Sequence, residues 1–201
     1  LLLMTLLQTL LTRLRIDQTV GLWWRFGAIL VLAHGANNNM DQPLIAGLHE
    51  ALARSGLVTV RFNFPYSEEG RKRPDPDGTL EGVYRLVLEY VAELEEFKGL
   101  ELYLGGKSMG ARLAAQLVAQ EVGASGLVFL GYPLHPPGRP QQVRVSHLPR
   151  IIHPMLVVQG AKDAFGTPAE LRLFFDVLPA PAEVYVVEQG GHSLEVPKRS
   201  G

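Results

Sequence analysis

Six short apolar runs alternate with longer amphipathic stretches along this chain, and this alternation is the strongest constraint on its fold. Several runs are apolar at consecutive positions, as strands are when both faces of a parallel sheet are covered. The intervening stretches carry apolar residues at helical spacing. The sequence therefore predicts an α/β fold with a mostly parallel central sheet and helices on both faces. The predicted strands are 28–34, 57–64, 100–106, 126–132, 155–161 and 182–189, and the predicted helices are 40–56, 78–99, 109–123 and 168–178.

Length and composition indicate a single domain over residues 1–201. Hydrophobic residues make up 47% and charged residues 19% of the chain, which is typical of a compact protein with one sizeable core. No repeat or low-complexity linker divides it. Residues 1–16 are expected to be irregular or edge-forming, with an antiparallel edge pair near 11–16 and 20–24.

Charge and cysteine content exclude several classes of function. The net charge is −1, from 19 basic and 20 acidic residues, so no basic field exists to hold nucleic acid or an anionic membrane. The absence of cysteine excludes disulfides, thiolate nucleophiles and thiolate metal sites. The leucine-rich start has neither the basic flank nor the cleavage site of a signal peptide, and it is too short to span a bilayer. We expect a cytoplasmic protein.

The segment Gly106-Lys107-Ser108 matches the end of a phosphate-binding loop, G-x-x-x-x-G-K-[ST], whose consecutive amides surround phosphate groups. That loop requires a glycine five positions before Gly106, where this chain has Glu101. Residues 102–104 are moreover predicted as strand, which leaves no room for a wide loop. The sequence therefore argues against nucleotide binding.

The pattern Gly106-x-Ser108-x-Gly110 fits a nucleophile elbow, since an apolar strand runs into it and a helix follows. In such an elbow the serine lies on a strained turn with its hydroxyl at the edge of the sheet. Small residues are needed two before and two after it, because strand and helix pass very close there. The backbone N–H of Met109 would face a developing oxyanion at the start of the helix. The alternative is that Ser108 only caps that helix.

A serine hydroxyl needs a base before it becomes nucleophilic, so an acid and a histidine should follow in the chain. Asp163 lies just after the strand at 155–161, and His192 directly follows the last predicted strand. Asp163 has an alternative role as the cap of the next helix. His34, which ends the first strand, is interpreted as a structural residue that orients the following turn.

The turn after the first strand, "HGANNNMD", is where this arrangement places a second oxyanion donor, and the amide of Ala36 is the candidate. Asn37 is expected to line the substrate pocket, although turn geometry explains the asparagines equally well. Tyr132, Leu134 and Phe165 are expected to contact substrate as well.

Four segments, "HGA", "GGKSMGA", "GAKDAF" and "GGHS", occur in an order that resembles the α/β-hydrolase fold over roughly residues 28–200. The segments "GYPLHPPGRP" and "HSLEVPKRSG" are similar to a small dienelactone-hydrolase-like group of predicted bacterial hydrolases. That group includes a eukaryotic testis-expressed protein and a regulatory subunit of a histone acetyltransferase complex.

This resemblance implies Ser108 as nucleophile, Asp163 as the acid of a triad and His192 as base, but it implies no particular substrate. Relatives continue past "KRSG" into a closing helix, so this chain is expected to lack that helix.

The leading hypothesis is a serine hydrolase that cleaves a small carboxylic ester, thioester or lactone through an acyl-serine intermediate, with no cofactor and no metal. The space between 128 and 156 leaves no room for a lid domain. The alternative is a non-catalytic protein-interaction module on a hydrolase scaffold, since a fold does not guarantee its chemistry.

Overall fold

A computed structural model describes residues 27–195 and places six parallel strands in one sheet. The order across the sheet is β2-β1-β3-β4-β5-β6, so β1 is next to one edge, β2 forms that edge, and β3 to β6 extend in sequence toward the other edge. This confirms the predicted parallel sheet and all six predicted strands. The strands are β1 Ala28–Ala33, β2 Val58–Phe62, β3 Glu101–Lys107, β4 Gly126–Leu130, β5 Met155–Gly160 and β6 Ala182–Val187.

Within residues 27–195, five α-helices connect the strands, and four of them correspond to the predicted helices. The additional helix, α2, is a single turn that begins at a proline and is too short to show a helical period. The helices are α1 Pro43–Arg54, α2 Pro65–Glu68, α3 Asp77–Glu93, α4 Met109–Ala119 and α5 Pro168–Phe175, with short 3₁₀ turns at Glu95–Phe97 and Leu148–Arg150.

The sheet separates two hydrophobic cores, which explains why its strands are apolar at consecutive positions. In β1, Val31 belongs to the core that also contains residues of α3, α4 and α5, whereas Leu32 belongs to the core on the other face, with residues of α1. Both side chains are fully buried. Helices on both faces were predicted, and this arrangement confirms them.

Between β4 and β5 the chain forms only a loop and one 3₁₀ turn, which confirms that no lid domain is present there.

In the stretch from residue 27 to residue 195, no helix combines the length and the apolar character needed to cross a membrane. The segment 1–16, the candidate edge pair and the expected lack of a closing helix lie outside the described residues.

Where β3 turns into α4, the backbone is packed so closely against β1 and against itself that Gly106 and Gly110 have no room for a side chain. A Cβ atom on Gly110 would come within 2.7 Å of the carbonyl carbon of Ala33, and one on Gly106 within 2.8 Å of the carbonyl carbon of Gly110. The need for small residues on both sides of Ser108 is therefore confirmed by the backbone contacts.

We expect Gly110→Ala to lower the free energy of unfolding by at least about 2 kcal/mol, because backbone atoms of β1 and not a mobile side chain would have to move. Gly47→Ala is the matched control. Gly47 lies in α1 with open space around its Cα, so alanine there should stabilise the protein by about 0.5–1 kcal/mol. Urea denaturation measures both, and equal effects of the two variants would contradict the close contact.

Candidate active site

Ser108 occupies the turn between β3 and α4 with backbone angles of φ 53° and ψ −110°. A positive φ is strained for a residue with a side chain, and such strain is typical of functional turns. Two backbone hydrogen bonds hold the turn: Ser108 N–H donates to Leu130 O at 3.0 Å, and Arg112 N–H donates to Ser108 O at 3.1 Å. The serine is therefore fixed at the carboxyl edge of the sheet.

The structure brings Ser108, His192 and Asp163 together at this edge. Nε2 of His192 lies 2.8 Å from Ser108 Oγ, and Nδ1 lies 2.8 and 3.0 Å from the two oxygens of Asp163. With its proton on Nδ1, the ring donates to the carboxylate and accepts from the serine hydroxyl. The imidazole is thus placed to take the proton of Ser108.

The Asp163 carboxylate is buried, and hydrogen bonds to three protein groups determine its orientation. The His192 ring is one, Gln159 Nε2 donates to Oδ2 at 2.8 Å, and Phe165 N–H donates to Oδ1 at 2.8 Å. Gln159 is itself fully buried; it also donates to Gly166 O and accepts from Tyr132 N–H, each at 2.8 Å. A carboxylate with this many donors keeps one geometry.

Gln159 was not among the residues predicted from the sequence. The available signal was a single amide in the otherwise apolar strand β5, "MLVVQG", because a buried polar side chain needs partners.

Phe165 stacks on the His192 ring, with ring centroids 4.0 Å apart and planes 27° from parallel. The same side chain borders a cavity of about 390 Å³ that opens at Ser108 and His192, a volume that suits a small ligand. Phe165 therefore touches both the imidazole and the space where a substrate would bind.

Both residues expected to donate to an oxyanion, Ala36 and Met109, border this cavity with Ser108. Of the three asparagines in the preceding turn, Asn38 lines the cavity and Asn37 does not. Asn37 adopts a positive φ of 58° and is exposed, which fits a role in turn geometry.

Tyr132 and Leu134 were expected to wall the cavity, but the structure places both in the core, and Pro133 between them lines the cavity instead. The Tyr132 ring packs against Phe129 and Phe175, and its hydroxyl donates to Arg144 O at 2.9 Å. In an irregular loop, consecutive side chains point in different directions, so the residue that faces the cavity does not follow from sequence.

His34 has the structural role that the sequence suggested. Its Nδ1 donates to Gly35 O at 2.8 Å, and its Nε2 accepts from Phe64 N–H at 3.2 Å. Burial lowers the pKa of this imidazole, which favours the neutral form that these two bonds require. His34 thus ties the turn after β1 to the chain after β2.

Lys107, directly before Ser108, is buried with its amine lacking any hydrogen-bond partner in the described part of the chain. Burial lowers the pKa of this amine to about 8, and the charge of Asp163 opposes the change only in part. From the sequence, Lys107 was recognised only as part of the glycine-serine motif. Its position at the buried end of β3 was the signal that it would be desolvated.

The cavity is also lined by three charged residues that were not predicted from the sequence: Asp77 at the start of α3, Arg112 in α4 and Arg144 in the loop after β4. They lie far apart in the chain, and no motif links them. Among residues 27–195, no group of three or more histidine, aspartate or glutamate side chains is arranged to hold a metal ion.

Comparison with known proteins gives one family and several related structures. A sequence model described as an alpha/beta hydrolase domain matches residues 27–201. An alpha-beta serine hydrolase homologue from Coxiella burnetii superposes with a TM-score of 0.68 at 24% identity, covering 84% of this chain and 80% of that one.

Two further structures are similar at lower identity. A dienelactone hydrolase from Anabaena variabilis has a TM-score of 0.68 and 20% identity, covering 85% of this chain and 78% of that one. A Xanthomonas campestris protein, described as an a/b serine hydrolase without lid, has a TM-score of 0.65 and 19% identity, covering 90% and 77%. At these identities the structures show a shared fold.

Because the amine of Lys107 is desolvated, the free energy of unfolding should depend on pH through this group. The unfolded chain keeps this proton up to about pH 10.5, whereas the folded chain loses it near pH 8, so between these values the unfolded state binds more protons. The free energy of unfolding should therefore rise with pH relative to Lys107→Met, by about 1–3 kcal/mol between pH 7 and pH 10.

Urea denaturation of wild type and Lys107→Met at several pH values measures this difference. Lys162→Met, which removes an exposed lysine just after β5, should follow the wild-type pH dependence. Parallel curves for wild type and Lys107→Met would show that the buried amine is not desolvated.

Proposed function

Because this chain belongs to the alpha/beta hydrolase domain family, we propose that it is a serine hydrolase that cleaves a small carboxylic ester, thioester or lactone. The main support is the hydrogen-bonded series Ser108, His192 and Asp163, with successive contacts of 2.8 Å, at the edge of an accessible cavity. The proposed reaction proceeds through an acyl-serine intermediate without a cofactor.

In the first step, His192 Nε2 takes the proton of Ser108 as Oγ attacks the carbonyl carbon of the substrate. The carbonyl oxygen becomes an oxyanion, which the amides of Ala36 and Met109 would bind. Such a donor typically contributes about 2.7–4 kcal/mol to transition-state stabilisation. The tetrahedral intermediate then collapses: the bond to the leaving group breaks, and His192 passes its proton to that group.

In the second step, water attacks the acyl group on Ser108 while His192 takes one of its protons. A second tetrahedral intermediate collapses, the bond to Ser108 Oγ breaks, and the proton returns to the serine. Asp163 stays ionised throughout, holding the tautomer of His192 and stabilising the imidazolium. Gln159 and Phe165 support this role, because both fix the Asp163 carboxylate through hydrogen bonds.

The size of the cavity and the lack of a lid favour compact substrates. A volume of about 390 Å³ holds a small ligand, and the loop between β4 and β5 contributes Pro133 and Arg144 to its wall but no covering domain. A structural neighbour is described as a dienelactone hydrolase, which is consistent with lactones among the candidates.

We also propose the cytoplasm as the site of action, since the chain has no cysteine.

A fluorophosphonate probe tests the proposal directly. We expect wild type to be labelled at Ser108, and Ser108→Ala and His192→Ala to remain unlabelled. Asp163→Asn should react much more slowly, by up to about 10⁴-fold, because the imidazole loses the acceptor that sets its tautomer. Ser146→Ala, which removes an exposed serine in the loop after β4, is the matched control and should label like wild type.

The same variants should show the same order in hydrolysis of p-nitrophenyl acyl esters, which measures turnover instead of trapping. If the folded wild type neither reacts with the probe nor hydrolyses any of these esters, the chain is a scaffold for protein interaction and not a hydrolase.

A further inference from the structure

The cavity at Ser108 has an excess of positive charge, although the chain as a whole has a net charge of −1. Its walls include Lys107, Arg112 and Arg144, against a single carboxylate, Asp77. The amine of Lys107 is buried, so the two arginines are the cations to consider in the cavity.

Arg112 already has a carboxylate partner. Its two terminal nitrogens donate to the two oxygens of Asp77 at 2.7 and 3.0 Å, and one of them also donates to Gln116 Oε1 at 3.0 Å. The hydrogen bond from Arg112 lowers the pKa of Asp77, so this carboxyl stays ionised. The bidentate pair therefore neutralises both charges and fixes one wall of the cavity.

Arg144 has no such partner. Its backbone is held on both sides, since Arg144 N–H donates to Leu134 O at 2.8 Å and Tyr132 Oη donates to Arg144 O at 2.9 Å. Its guanidinium, however, makes no hydrogen bond or ion pair with any residue between 27 and 195. Burial and the nearby charge of Arg112 both lower its pKa, and Asp77 opposes this only in part.

A guanidinium on an anchored backbone, exposed to the cavity that holds Ser108, is a binding group for a planar anion. A carboxylate fits better than a phosphate monoester, because it carries one charge and the described cavity wall offers one cation that is both accessible and unpaired. A dianion would leave one of its two charges without an unpaired cation on the described wall.

We infer that the substrate of this site carries an ionised carboxylate besides its ester, and that Arg144 binds that carboxylate while Ser108 attacks the ester carbonyl. The inference rests on the proposed function and makes Arg144 a specificity-determining residue. The chemical class is a monoester of a short dicarboxylic acid or an ester of similar shape and charge.

The test compares two substrates of equal chain length, the mono-p-nitrophenyl ester of glutaric acid and p-nitrophenyl pentanoate. Wild type should prefer the glutarate ester in kcat/KM by about tenfold or more, the range expected for hydrogen bonds to a charged group. In Arg144→Gln this preference should fall to near one, and in Arg144→Glu it should invert. Arg139→Gln removes an exposed arginine from the same loop, outside the cavity wall, and should keep the wild-type preference.

A wild type without the preference would overturn the inference, and so would a preference that survives in Arg144→Gln. A binding measurement gives a second readout: free glutarate should slow fluorophosphonate labelling of Ser108 in wild type but not in Arg144→Gln. Protection by inorganic phosphate and not by glutarate would contradict the carboxylate assignment.

These outcomes separate the two proposals. If Ser108 is labelled normally and glutarate has no effect, the carboxylate site is wrong and the hydrolase proposal stands. If Ser108 is not labelled at all in folded protein, the proposed function itself fails.

Discussion

The contact between the Ala33 backbone and the glycines around Ser108 is the constraint on which the site depends. Because α4 starts directly against β1, the chain must leave β3 in one sharp turn, and only residues without a side chain fit at Gly106 and Gly110. Among the three residues between them, Ser108 takes the strain as a positive φ of 53°. That backbone conformation, held by the hydrogen bond from Ser108 N–H to Leu130 O, directs the hydroxyl to the edge of the sheet.

The parallel sheet brings residues that are distant in the chain to the same edge, which no local motif could do. Ser108 follows β3, Asp163 follows β5 and His192 follows β6, and the carboxyl ends of parallel strands all meet there. The final alignment comes from a buried amide: Gln159 links the Asp163 carboxylate to the backbone at Tyr132 and Gly166. The geometry of the imidazole is therefore supported from the core of the protein and not by the surface loop alone.

The sequence was sufficient to select the three residues that meet at the sheet edge, but it was insufficient to identify the residues that line the cavity. Ser108, Asp163 and His192 could be selected because each follows an apolar run at a position that the fold class makes meaningful. The sequence could not show that Pro133 and Asn38 line the cavity and that their neighbours Tyr132, Leu134 and Asn37 do not. Side chains in a loop follow no regular period, so the direction of each one cannot be predicted from its position. Arg112, Arg144 and Asp77 meet only through tertiary packing, so no spacing in the chain could indicate their shared cavity.

The net charge of the chain and the charges that line its cavity bear on different kinds of ligand. A total of −1 argues against a surface that holds nucleic acid, because such binding needs an extended field. A small substrate responds instead to the few charged groups within contact distance of it. Since Asp77 neutralises Arg112 and Asp163 is directed toward His192, the charge left for a ligand in this cavity is that of Arg144. In the proposed reaction, the cavity that borders Ser108 would therefore also orient the acyl group, through Arg144.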